Sequence, residues 1–188
     1  EEDFYNPADA ERVWQEWFND GGRIDTPPDN TLRGIEDWAP EVPDIIVSRE
    51  EVEEEFRKYV RRGEVAVQTG NWSPWADQFT EDARYFEHHY GKFHGRAAIK
   101  KWITSIMGPF PQMTFHVDHY IIDGNRVIAL IPYCLPDPTG GSAEYSFNVH
   151  VVLHYAGNGL WSYEEDVYNP REAESVVSSW VKAGGSVS

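Results

Sequence analysis

Four stretches of the chain space their apolar residues every three or four positions, and five others alternate or run apolar over strand lengths. The first helical stretch carries Ala10, Val13, Trp14, Trp17 and Phe18 on one stripe, entered through Asn6-Pro7 and stopped by Gly21-Gly22. A second begins at Ser48, where Ser48 and Glu51 form a capping-box pattern. Its inner face is Val52, Phe56, Tyr59, Val60, Gly63 and Val67, and Gly70-Asn71 ends it. A short helix over Pro74 to Phe79 leads to a strand, Ala83 to His89, turned at Tyr90-Gly91. Arg96 to Met107 forms the third long helix, closed by Gly108-Pro109. Then come strands Met113 to Ile122, Arg126 to Leu135, Glu144 to Tyr155 and Leu160 to Tyr168, and a last helix with Ala173, Val176, Val177, Trp180 and Val181 inward. The order predicts an α+β fold in which three to four helices pack on one side of a curved antiparallel sheet.

The two ends of the chain resemble each other. Residues 1–22 (EEDFYNPADAERVWQEWFNDGG) align without a gap on residues 164–185 (EEDVYNPREAESVVSSWVKAGG), with 12 identities in 22. Chance gives about one or two at ordinary residue frequencies. The start is therefore read as a copy of the closing strand and helix of the domain that follows. Residues 23–47 hold four prolines and no period, which suits an arm. The expected division is an N-terminal helix and arm, 1–47, and a folded domain, 48–188.

Composition narrows the function. The 188 residues carry 16 Lys+Arg against 32 Asp+Glu, a net charge of −16, which disfavours nucleic acid and anionic membrane as partners. No apolar run approaches the roughly 20 residues of a membrane span. The single cysteine, Cys134, cannot close an internal disulfide, so a cytoplasmic location is expected. None of the histidines falls at a metal-ligand spacing, and neither a metal nor another cofactor is expected.

The run WADQFTEDARYFEHHYGKFHGRAAIKKW resembles the SnoaL-like branch of the nuclear transport factor 2-like superfamily, home of polyketide cyclases, ketosteroid isomerase and scytalone dehydratase. The shared marks are Gly70-Asn71, Asp82-Ala83 and Gly95-Arg96 with Ile99, over about residues 48–183. The resemblance implies a cone of bent sheet and helices around an apolar pocket, used for cofactor-independent proton transfer on a hydrophobic ring compound. It also implies a homodimer, to which the N-terminal copy adds the alternative of a pseudo-dimer with another repeat.

Several residues then become candidates. Counted from Gly70, Glu87 falls where isomerase-like sequences carry their general base; alternation puts Tyr85, Glu87 and His89 on one face. A carboxylate in an apolar pocket binds its proton more tightly, as a base working near neutrality requires. In the isomerase pattern a Tyr stands at the position of Gly63 and a second acid at that of Val151. His116, in TFHVDH, resembles the catalytic His of dehydratase-like members, although Gln68-Thr69 replaces its usual Asp partner. On the last strand Glu164, Asp166 and Tyr168 share a face, so Asp166 could orient His116 or share a proton with Glu87. The catalytic candidates are Glu87, His116 and Asp166. The substrate-binding candidates are Tyr59, Thr69, Trp75, Tyr85, His89, Tyr133, Glu164 and Tyr168. The expected activity is that of a lyase, isomerase or cyclase acting on a hydrophobic cyclic or polyketide-like molecule. The alternative is a non-catalytic module that binds a hydrophobic ligand or oligomerises.

Overall fold

The computed structural model describes residues 7–21 and 43–187. The strand copy expected over residues 1–6 and most of the arm lie outside them. The elements are α1 (Pro7–Asn19), α2 (Arg49–Thr69), α3 (Ser73–Ala76), β1 (Phe79–Glu87), β2 (Gly91–His94), α4 (Arg96–Met107), β3 (Thr114–Phe115), β4 (His119–Asp123), β5 (Arg126–Leu135), β6 (Tyr145–Gly157), β7 (Leu160–Val167) and α5 (Pro170–Lys182).

Local chemistry explains the boundaries. The Glu51 amide donates to Ser48 Oγ at 3.1 Å at the start of α2, and Gly70 takes the left-handed conformation (φ 69°) that ends it. Asn169 caps α5 by accepting from the amides of Arg171 and Glu172, with Pro170 at the first helical position. Of the expected inward face of α2, Val52, Phe56, Tyr59, Gly63 and Val67 are buried and Val60 is half-buried against the core.

The sheet runs β2-β1-β7-β6-β5-β3, with β4 also pairing on β5. Two features depart from the expected antiparallel meander. First, β1 and β7 pair in parallel, because β1 turns back through β2 and α4 carries the chain across before the meander returns. Second, the strand expected over Met113 to Ile122 breaks at residues 116–118 into β3 and β4. Opposite β5 the register passes from Phe115↔Tyr133 to His119↔Leu130, which leaves one extra residue on the β3–β4 side. The sheet is curved and does not close, and α2, α3, α4 and α5 fill its concave side with a core rich in aromatic rings.

A bulge in β7 decides what faces that concave side. Tyr155 pairs with Trp161 and His154 with Tyr163, so Ser162 has no partner position. Trp161 packs inward against Tyr59 and Tyr155. The extra residue then resets the alternation, so Glu164 and Asp166 turn inward while Tyr163 and Glu165 turn out towards His154 and His88.

Candidate active site

The concave side holds a hollow of two neighbouring chambers that share part of their walls. The outer one, about 390 Å³, lies between the sheet, α4 and α5; its walls include Trp102, Phe110, Tyr133, Phe147 and Tyr168. The inner one, about 40 Å³, runs towards α2 past Tyr59, Trp75 and Tyr85. Ile103, Met107 and Tyr133 border both. The outer volume matches the size range of small-molecule sites.

Acids gather at one wall. Parallel pairing places Tyr85 beside Glu164 and Glu87 beside Asp166. The three carboxylates are 2% (Glu87), 1% (Glu164) and 5% (Asp166) exposed. Glu87 and Asp166 line the outer chamber, while Glu164 sits behind it, its Oε1 accepting from the Tyr59 hydroxyl at 2.6 Å. The Tyr85 hydroxyl donates to Asp166 Oδ2 at 2.6 Å. Glu87 Oε2 accepts the backbone amides of His89 (2.8 Å) and Tyr90, and the Tyr168 hydroxyl faces the same carboxyl. One oxygen of each acid is left without a partner: Glu87 Oε1, Glu164 Oε2 and Asp166 Oδ1. Among the described residues no Lys or Arg lines either chamber.

Burial therefore governs protonation. Loss of water pushes Asp166 up to about 8, reinforced by the negative charges of Glu87 and Glu165 and opposed by the Tyr85 hydrogen bond. Glu164 is raised well above its ordinary range, by burial first and then by Asp166. Burial likewise raises Tyr59, Tyr85 and Tyr133, which keeps their hydroxyls protonated and able to donate.

Each expected residue has a definite place. Glu87 faces the hollow rather than pairing with Arg84 or Lys92 outside, and Asp166, Tyr85, Tyr133, Tyr59, Trp75 and Tyr168 line its chambers. His89 stands past the end of β1 at the exposed rim, 3.9 Å from Glu174. Glu164 is near the hollow without lining it. Two expectations need correcting. His116 is exposed, with Nδ1 3.9 Å from Cys134 Sγ, and meets neither Asp166 nor Glu87. Phe115 takes the inward position against Trp72 and Tyr133, so the next side chain points away. Thr69 is exposed at the end of α2, where its hydroxyl donates to the Val65 carbonyl at 2.7 Å and lies outside the hollow.

The sequence reading missed Trp102, Phe110, Phe147 and Glu174, which complete the outer chamber. The spacing Ile99, Trp102, Ile103, Ile106, Met107 held the signal for α4 as a wall. The geometry also explains the departures from the isomerase pattern. Val151 pairs directly with Asp166, so the acid missing from β6 comes from the adjacent strand. At Gly63 the Trp75 indole would lie in ordinary contact, 3.7 Å, with an added Cβ, so Trp75 takes the space that a ring at this position would fill.

Residues 56–163 match the family model of the SnoaL-like domain. The chain belongs to the SnoaL-like family. SnoaL-like proteins of known structure share its fold. A candidate SnoaL-like polyketide cyclase from Shewanella putrefaciens superposes with a TM-score of 0.56 at 13% identity, covering 69% of this chain and 86% of that one. An NTF2-like protein from Anabaena variabilis gives 0.54 at 14% identity over 67% and 95% of the two chains. An LEH-like epoxide hydrolase from M. tuberculosis gives 0.51 at 15% identity over 69% and 94%. At these identities the likeness is one of fold. Comparison of the sequence with curated proteins finds no match. Among the described residues no group of three His, Cys, Asp or Glu could hold a metal ion, and no helix is long and apolar enough to cross a membrane.

Proposed function

We propose that this SnoaL-like domain is an acid–base enzyme that moves a proton on a hydrophobic cyclic or polyketide-like substrate, as a lyase, isomerase or cyclase without a cofactor. One observation carries the reading. Asp166 and Glu87 sit side by side across the β1–β7 pairing, each with an unpartnered oxygen, in a largely apolar hollow that among the described residues no Lys or Arg lines.

Their surroundings suggest different roles. Asp166, held protonated near neutrality, has Oδ2 engaged by Tyr85 and Oδ1 open. With its proton on Oδ1 it donates a hydrogen bond to a substrate carbonyl oxygen and stabilises the negative charge that develops there. Glu87, anchored through Oε2 by two backbone amides, presents Oε1 as the base that takes a proton from the carbon next to that carbonyl. The electron pair of the broken C–H bond moves into the enolate. Glu87 then returns the proton to a different carbon in an isomerisation, or to a departing hydroxyl in a dehydration. The aromatic walls hold the ring and exclude water.

A bicyclic ketone such as 1-decalone, incubated in deuterated water, tests this by NMR. The reading predicts protein-dependent deuterium incorporation next to the carbonyl, lost in Glu87→Gln and reduced in Asp166→Asn with the fold intact. A ketone that binds in the hollow without exchanging faster than in buffer would favour the non-catalytic binder.

A further inference from the structure

The copy at the chain's start is not used by the site described above. α1 leaves three residues of its stripe exposed, Val13 (54%), Trp14 (55%) and Phe18 (45%), while Ala10 and Trp17 are half-buried. Their counterparts on α5 are Val176 and Val177, half-buried in a helix that packs on β6 and closes the outer chamber, and Val181, itself 44% exposed. Trp180, the counterpart of Trp17, is 1% exposed, and its indole donates to the Pro136 carbonyl at 2.8 Å.

The structure shows which positions the copy preserves. Over residues 170–185, seven positions are not exposed, and five of them recur identically at the N-terminus: Pro170, Ala173, Val176, Trp180 and Gly185. Of the nine exposed positions only Glu174 and Gly184 recur. Two unrelated surface helices would not share identities according to what α5 touches. Glu174 itself lines the outer chamber, so three of the five α5 residues around the hollow recur, as Pro7, Ala10 and Glu11.

We propose that α1 is the closing helix of a second SnoaL-like domain that precedes this one in the same polypeptide, seated on that domain's sheet as α5 is seated here. The occupant follows from the pattern: a face conserved at α5's packing positions fits a sheet of this family. A second copy of the present domain already has that place filled by its own α5. Trp14, at the position of Val177, would then make the second hollow narrower than the first.

The test uses the polypeptide as its source cell makes it. Its intact mass should exceed 21.6 kDa by about the mass of one further SnoaL-like domain, and thermal unfolding should resolve two transitions. Trp17→Asp should lower one midpoint by roughly 5 °C or more and leave the other in place, while Trp180→Asp should lower that other one. In the 188-residue chain alone, Trp17→Asp should change nothing. A native polypeptide beginning within a few residues of Glu1 would overturn the proposal. So would both variants moving the same transition, Trp17→Asp moving neither, or a homodimer of the 188-residue chain that Trp14→Asp dissociates.

Discussion

The Tyr85 hydroxyl donates to Asp166 Oδ2 at 2.6 Å across the parallel seam between β1 and β7, with both groups buried. The bond fixes which oxygen of Asp166 faces the hollow and moderates the upward push of burial on its proton affinity. Tyr85→Phe removes the donor and leaves Oδ2 unpartnered. The expected result is a loss of roughly 1–3 kcal/mol in stability and about a tenfold fall in turnover. The alkaline limb of the pH–rate profile should move upward, since the lost bond favoured the ionised acid. Urea unfolding and a pH–rate profile check both.

Stability should depend on pH through Asp166. Its ordinary value is 3.8 and its value in the fold is about 8, so the native state holds a proton that the unfolded chain has released. This contribution is complete below about pH 4 and is lost as pH rises through 8, at up to about 1.4 kcal/mol per pH unit. Asp166→Asn should flatten the slope between pH 5 and 8 in urea titrations.

His154 acts in the opposite direction on the outer face. Burial, with Arg126 nearby, lowers it from 6.5 to about 4, while Glu165 partly opposes the shift. Its neutral ring lies over Tyr163 at 4.8 Å. The stability it contributes is present above pH 6.5 and is lost as pH falls through about 4. His154→Phe keeps a ring on Tyr163 and should make the protein less sensitive to acid, measured as the urea midpoint at pH 4.5 against pH 7.

His116 should be dispensable. It is exposed and beside Cys134, outside the hollow, so His116→Ala should change stability by less than about 0.5 kcal/mol and leave turnover within twofold. A loss of tenfold or more in turnover would return it to the mechanism.

How much of this was legible follows from which signals are local. The helices and their caps were, because Ser48, Gly70, Asn169 and the apolar stripes act within a few residues. The direction in which Glu87 faces is also local, because strand alternation holds from Tyr85 onward. The parallel β1–β7 pairing was not, since it joins positions about 80 residues apart and leaves no periodic trace. His116 was misjudged because a family motif gives the position of a residue along a strand, whereas its direction was set by Phe115 packing on Trp72. Phe110, Phe147 and Glu174 carry no such local mark, because the outer chamber exists only where α4 and α5 both face the sheet.

The central claim is that an acid in the hollow stays protonated at neutral pH. It is tested most directly by a carbon-13 NMR titration of the Asp166 side-chain carboxyl, assigned by comparison with Asp166→Asn. A midpoint near pH 8 is the predicted result. A midpoint near 4, in the ordinary carboxylate range, would contradict it.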